Sequence, residues 1–271
     1  MNDLILLLDI LKYGIIIIIL LGLTAAILSP FVILNDQSLI ADGLSHVSFM
    51  AIAVGLFFSE EPFYVAAIIV VVASILIKWL SKKEGIKGDI ALGMVSSLGI
   101  AMGFIVLKYS KSFVNIESLI SGNLWLRQKV DVYLALFIFI LSVVFVIVFY
   151  RKLLSLSFDY GYAKFKGVNR NLLDYLFSVI IGLFVVIGVR SVGILLISSL
   201  LIFPAVISNI FAKSFKDLFI YGTIITLVAV ISGIIFAHIL DLSAGSVIVL
   251  IYSFIFIVFH IFKGLEKKKI Q

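Results

Sequence analysis

The chain has no cysteine among its 271 residues and only three histidines. The first absence excludes disulfides, thiolate metal sites and thiol nucleophiles, so a metal ion would have to be met by imidazole, carboxylate, carbonyl or water. Charge is scarce as well: 13% of residues are Asp, Glu, Lys or Arg, against 63% hydrophobic, and mean hydropathy is +1.29. A soluble core so rich in apolar side chains would need more polar surface than this chain has to cover it. Lipid must therefore be the solvent for most of the surface. A signal-peptide pattern is missing too, because "MNDLILLLDILKYG" opens with acidic residues and lacks a basic leader and a small-residue cleavage site. The first segment is expected to remain as a helix. No G-x-x-x-x-G-K-[ST] occurs, so the chain cannot cradle ATP in the Walker manner, and any ATP-driven step needs another polypeptide. Intramembrane zinc proteolysis is a poor reading, since "DGLSH" has helical spacing but no glutamate to act as base.

What the chain does have is long apolar runs. A hydrocarbon core about 30 Å thick takes roughly 20 apolar residues per helix. Such runs lie near 10–34, 39–58, 62–80, 90–108, 131–150, 172–189, 191–212, 218–240 and 245–262. This predicts an all-α polytopic membrane protein, a single transmembrane domain over 1–271, with nine spans and eight as the alternative. The hydrophilic pieces 78–89, 151–170, 213–216 and the tail hold fifteen of the twenty-one Lys and Arg. Nine spans put all four pieces on one side, which the positive-inside rule makes cytoplasmic. The carboxyl terminus is then inside and the amino terminus outside. The net charge of +6 is thus a topology signal, and a nucleic-acid partner is a poor reading because no basic helix or arm with interleaved aromatics lies outside the spans.

Ionisable residues inside such runs are costly and point to function. Asp42 and His46, in "SLIADGLSHVSFMAIAVGLFF", stand four residues apart and stack on one face of a helix, a spacing that lets both touch one ion. Ala41, Gly43 and Ser45 around them are small enough to admit a neighbouring helix or an ion with water. The plainer reading makes Asp42 a helix cap and gives His46 a nearby carbonyl. A second pair, His238 and Asp241 in "GIIFAHILDLSAGSVIVL", shares a helical face if the eighth span continues that far; otherwise Asp241 belongs to the turn before "LSAGS". Together the four side chains would make an N/O site suited to divalent zinc, manganese or iron. A rise of about 1.5 Å per residue lifts His46 only about 10 Å from one face, while His238 lies near the other. Joint coordination then requires the second span to begin deeper or a re-entrant 31–38 segment, and failing that the pairs are two stations on one path. Asp9, Arg190 and His260 are lone polar residues near span ends, where snorkelling accounts for them.

Several stretches, in order, resemble the membrane permease of zinc/manganese ABC importers, the metal-type family that works with a cluster A-I binding protein and a separate ATPase. "SLIADGLSHVSFMAIAVG" resembles that family's S-L-[IL]-[GA]-D-[AG]-L-S-H core, and "GDIALGMVSSLGIAMGFIVL", "SLISGNLW", "LSFDYGYAKFKGV", "VGILLISSLLIFPAVIS" and "LDLSAGSVIVL" follow in the family's order. The resemblance implies an ABC importer permease fold and a homodimer bound to two ATPase subunits in a prokaryotic inner membrane. It also implies a metal delivered by an extracytoplasmic binding protein, ATP used by the partner chain, and no permanently bound cofactor. It assigns the loop around Phe158, Asp159 and Gly167, within 151–170, to the helix that docks on the ATPase, and it carries a pathway role to Asp42 and His46. One departure is "NDQ" at 35–37, where the family often has basic residues. The mechanism implied is alternating access, in which ATPase closure reaches the spans through the 151–170 loop. Three other readings stay open: an ABC permease for a chelate such as a siderophore or cobalamin, a proton-driven metal carrier without an ATPase, and a membrane scaffold.

Overall fold

The computed structural model describes residues 2–35, 37–58, 62–83, 88–109, 128–158 and 160–270, and every regular element among them is helical. In chain order these are α1 (Asn2–Leu34), α2 (Ile40–Phe58), α3 (Pro62–Leu80), α4 (Gly88–Tyr109), α5 (Lys129–Phe158), α6 (Tyr160–Phe165), α7 (Arg170–Val192), α8 (Ile194–Ser208), α9 (Phe215–Leu240) and α10 (Ala244–Ile270). Helices are what lipid demands, because each backbone polar group must be satisfied within its own segment.

Among the described residues eight helices are long and apolar enough to cross a membrane, and the apolar α8, with 15 residues, falls short of that length. At about 1.5 Å per residue it covers only about 22 Å. The apolar run 191–212 hides the reason. Gly193 adopts φ 91° and ends α7, and a turn after Ser208 ends α8. A positive φ of this kind costs glycine little and other residues much. The chain reverses there, so that a β-carbon on Gly188 would overlap the Ile197 side chain of α8. Pro204 interrupts the α8 ladder, and beside it the Ala205 N–H donates to Ser29 Oγ of α1 at 2.9 Å. The helix is mostly enclosed by protein, which is how a helix shorter than the hydrocarbon can sit at membrane depth.

Contacts sort the connections into two ends. At one end Phe31 of α1 lies against Phe177 of α7 and Phe215 of α9, and Phe215 also meets Tyr150 and Phe158 of α5. Lys263 of α10 donates through Nζ to the Ile210 carbonyl at this end. Here too lies a polar cleft of about 490 Å³ walled by Gln37, Lys78, Lys82, Asp89, Arg170 and Asp174. Lys82 sits 4.0 Å over the Tyr175 ring. Burial holds its ammonium below the usual lysine range, with Asp174 opposing the effect and Arg170 adding to it. Described parts of all four basic pieces of the sequence therefore gather at one end of the bundle.

The other end holds a correction. Arg190 is not a lone snorkelling residue: its Nε lies 2.8 Å from Asp131 Oδ1, with Asp131 only 2% exposed. The Asp131 Oδ2 accepts from Gln128 N–H at 3.1 Å, and the Arg190 guanidinium stands 5.0 Å over the Phe63 ring. A buried carboxylate needs this kind of partner, and the pair ties the start of α5, the end of α7 and the start of α3 together.

Candidate metal-binding stripe and coupling segment

Helix α2 is packed on most of its circumference by α3, α4, α7 and α8. Between Ile40 and Leu56 its less buried positions are Asp42, His46, Met50, Val54 and Leu56, and the first four recur every fourth residue. One lengthwise stripe of the helix is thus left uncovered. Asp42 Oδ2 stands 3.7 Å from His46 Nε2, with the side chains 55% and 29% exposed. The stacking expected from their spacing is present. Asp42 lies in the first turn of α2, where the helix dipole favours a carboxylate.

The small residues around the pair admit a neighbouring helix. A β-carbon on Gly43 would fall 2.3 Å from Leu92 of α4. On the facing helix, a β-carbon on Gly99 would lie 3.1 Å from the His46 carbonyl oxygen and from Val47 Cα and N, and one on Gly103 would meet the Phe49 ring and Met50 Cα. Gly99-x-x-x-Gly103 thus brings α4 onto the backbone of the turns that carry His46 and Met50, as small residues do between membrane helices. The hydroxyls of Ser45 and Ser48 donate within α2, to the Ala41 and Leu44 carbonyls at 2.7 and 2.8 Å.

His238 lies in the last turn of α9, which stops at Leu240, and Asp241 follows in the left-handed conformation with φ 53° and ψ 45°. Its N–H and that of Leu242 both donate to the Ala237 carbonyl. The helix therefore does not continue far enough for Asp241 to stack on His238 by i,i+3 spacing. Aspartate is among the few residues that tolerate this backbone. The pair is at the opposite end of the bundle from Asp42 and His46, about 25 Å away along the axis by counting helical rise. Among the described residues no three His, Asp or Glu side chains converge on a point where an ion could sit.

The stretch 151–170, expected as a coupling loop, is largely helical, since α5 runs on to Phe158. After it comes α6, six residues long. Gly167, at φ 70°, closes α6 with its N–H on the Lys164 carbonyl while Val168 N–H reaches Ala163, a left-handed stop that glycine favours. Asn169 then caps α7 by accepting from Leu172 N–H at 3.1 Å. Phe158, Tyr162 and Phe165 are all exposed, Phe165 to 86%. Asp159 lies outside the described residues.

Sequence reasoning missed three features. The Asp131–Arg190 pair joins residues far apart in sequence, so that only the helix arrangement reveals it. Met50 sat in an apolar run, where a thioether reads as one more apolar side chain. Gly99 and Gly103 do carry a signal, the G-x-x-x-G spacing of close helix pairs.

A bundle of helices long enough to cross a membrane, with an accessible Asp–His pair on one of them and a short helix bearing exposed aromatics at one end, is the build of a polytopic membrane protein. The ABC 3 transport family model matches residues 8–263, and the chain belongs to that family. It is a permease subunit and not an enzyme. Manganese import system permease protein ScaB of Streptococcus gordonii is 30% identical over 240 residues, 89% of this chain and 86% of that one. High-affinity zinc uptake system membrane protein ZnuB of Haemophilus influenzae is 25% identical over 242 residues, 88% of this chain and 92% of that one. Among solved structures, PsaBC from Streptococcus pneumoniae in complex with Fab matches with a TM-score of 0.83 and 28% identity, covering 95% of this chain and 94% of that one. An inward-facing putative metal-chelate type ABC transporter shares the fold at a TM-score of 0.69 and 17% identity, over 90% of this chain and 84% of that one.

Proposed function

We propose that this permease moves a divalent transition metal ion, zinc, manganese or iron, into the cell by alternating access, as half of a homodimer bound to two ATPase subunits. The observation that carries the reading is the uncovered stripe of α2, with a carboxylate and an imidazole 3.7 Å apart on the outside of a single chain. Two donors are too few for an ion stripped of water. A second copy related by a two-fold axis would bring the same stripe opposite, doubling the set to two carboxylates and two imidazoles. Such ligands, without thiolate, hold an ion weakly enough to release it. His238 and Asp241 serve as a separate station at the far end, where a cluster A-I binding protein delivers the ion from outside. The names of the metal-importing relatives support this cargo.

Vesicles reconstituted with this chain, its ATPase and the binding protein should take up manganese or zinc only with ATP inside the reach of the ATPase. Vesicles holding this chain alone should take up none. Uptake by the chain alone, driven by a proton gradient, would instead make it a secondary carrier.

The exposed aromatics around α6 form the ATPase docking surface in this reading, with Phe158, Asp159 and Gly167 in the coupling segment. Phe158→Asp should lower co-purification of the ATPase by about tenfold, the scale of losing one well-packed aromatic anchor, with the helices still inserted. Undiminished co-purification would count against the assignment.

The end bearing the basic pieces faces the cytoplasm here, with the carboxyl terminus inside and the amino terminus outside. A cysteine introduced at Ser243 should react with an impermeant maleimide on intact cells, and one at Ser81 only after permeabilisation. The reverse pattern would invert the protein.

A further inference from the structure

The uncovered stripe of α2 does not stop at His46. One turn further on comes Met50, which packs against the core yet stays partly exposed, on a helix whose flanking residues Phe49 and Ala51 are buried. Its position is held by α4, because Gly103 allows the two backbones so close that a β-carbon there would lie 3.2 Å from Met50 Cα. Along one face the donors therefore run carboxylate, imidazole, thioether, each four residues and about 6 Å from the next. Asp42 and His46 form a hard-to-borderline pair, suited to manganese or zinc. His46 and Met50 share the same spacing and form a softer pair, because a thioether favours thiophilic ions such as copper(I).

We propose that Met50 is a metal-contacting, specificity-determining residue of the path, and that with His46 it makes a second, overlapping position that captures thiophilic ions. This rests on the pathway reading of the α2 stripe. A hard ion passes from one pair to the other with little hold at the sulfur. A soft ion lodges between imidazole and thioether and blocks the stripe, so copper(I) should inhibit manganese uptake through Met50.

The composition makes the test clean. With no cysteine and four methionines, any sulfur in the first coordination shell of a bound metal must come from methionine. Purified permease loaded with copper(I) under anaerobic reducing conditions should show sulfur together with nitrogen in its copper K-edge absorption fine structure. The sulfur should disappear in Met50→Leu and persist in Met94→Leu, an exposed methionine of α4. In vesicles of the full complex, the copper(I) concentration that halves manganese uptake, measured relative to each variant's own uptake, should rise about fivefold or more in Met50→Leu and stay unchanged in Met94→Leu. A wild-type spectrum without sulfur, or sulfur that survives Met50→Leu, overturns the proposal. His46→Gln separates the two ideas. If it leaves manganese uptake intact, the stripe is not the path and both readings fail; if it abolishes uptake while Met50→Leu leaves copper inhibition unmoved, only the role of Met50 fails.

Discussion

Replacing His46 by Gln is expected to cut manganese and zinc uptake by roughly tenfold or more, since even outer-shell changes weaken metal sites by about 10–100-fold. Gln keeps much of the volume and hydrogen-bonding capacity of the side chain but removes the basic nitrogen that ligates an ion. Asp42→Asn should do the same by a different route, keeping shape while removing the negative charge that makes partial dehydration of a divalent ion tolerable. Both side chains are solvent- or lipid-accessible in the single chain rather than core-packed, so neither change should unfold the protein. Expression, ATPase assembly and thermal unfolding in detergent should all stay near wild type. His238→Gln and Asp241→Asn should reduce uptake less, because they stand about 25 Å away by helical rise and belong, in the proposed reading, to a separate station. Wild-type uptake by His46→Gln at normal protein level would make the Asp42–His46 pair structural.

The second large effect is expected at Gly99. A leucine there would drive its side chain into the backbone of α2 at His46 and Val47, where the β-carbon alone would already lie 3.1 Å from three main-chain atoms. Main chain cannot swing aside as a side-chain tip can, so α4 would be forced off α2 at a cost of about 3 kcal/mol or more. Gly99→Leu should therefore lower the unfolding temperature in detergent and abolish uptake together. Gly93→Leu, on the same helix with open space around its β-carbon, supplies the comparison and should leave the monomer's stability unchanged or slightly raised, since leucine is the better helix former. Equal unfolding temperatures for the two variants would mean that the α2–α4 approach does not hold the stripe in place.

Much of this architecture was legible in the sequence, for physical reasons. A membrane helix must be apolar along its whole length, so composition marks where each one runs. Basic connections mark which ends belong together, and the contacts of Phe215, Lys263 and the cleft around Lys82 agree with that grouping. The pairing of Asp42 with His46 needed nothing beyond helical spacing. Hydropathy could not show that 191–212 is a short helix behind a broken one, because a backbone reversal at a single glycine leaves the run just as apolar. Nor could it show where α9 stops, and so whether Asp241 would stack on His238. Met50 was hidden for a related reason: a thioether counts as apolar, and its placement on the uncovered face follows from the packing of α3, α4, α7 and α8 around the other sides.

The ion pair between Asp131 and Arg190 has a mechanical consequence. Separating the two would strand the buried Asp131 carboxylate at a cost of several kcal/mol, whereas keeping them together avoids it. Parting the start of α5 from the end of α7 would therefore carry that penalty, which fastens those two helix ends to each other. Gly193, at φ 91°, follows the clamp by three residues, so the turn from α7 into α8 starts from an anchored helix end.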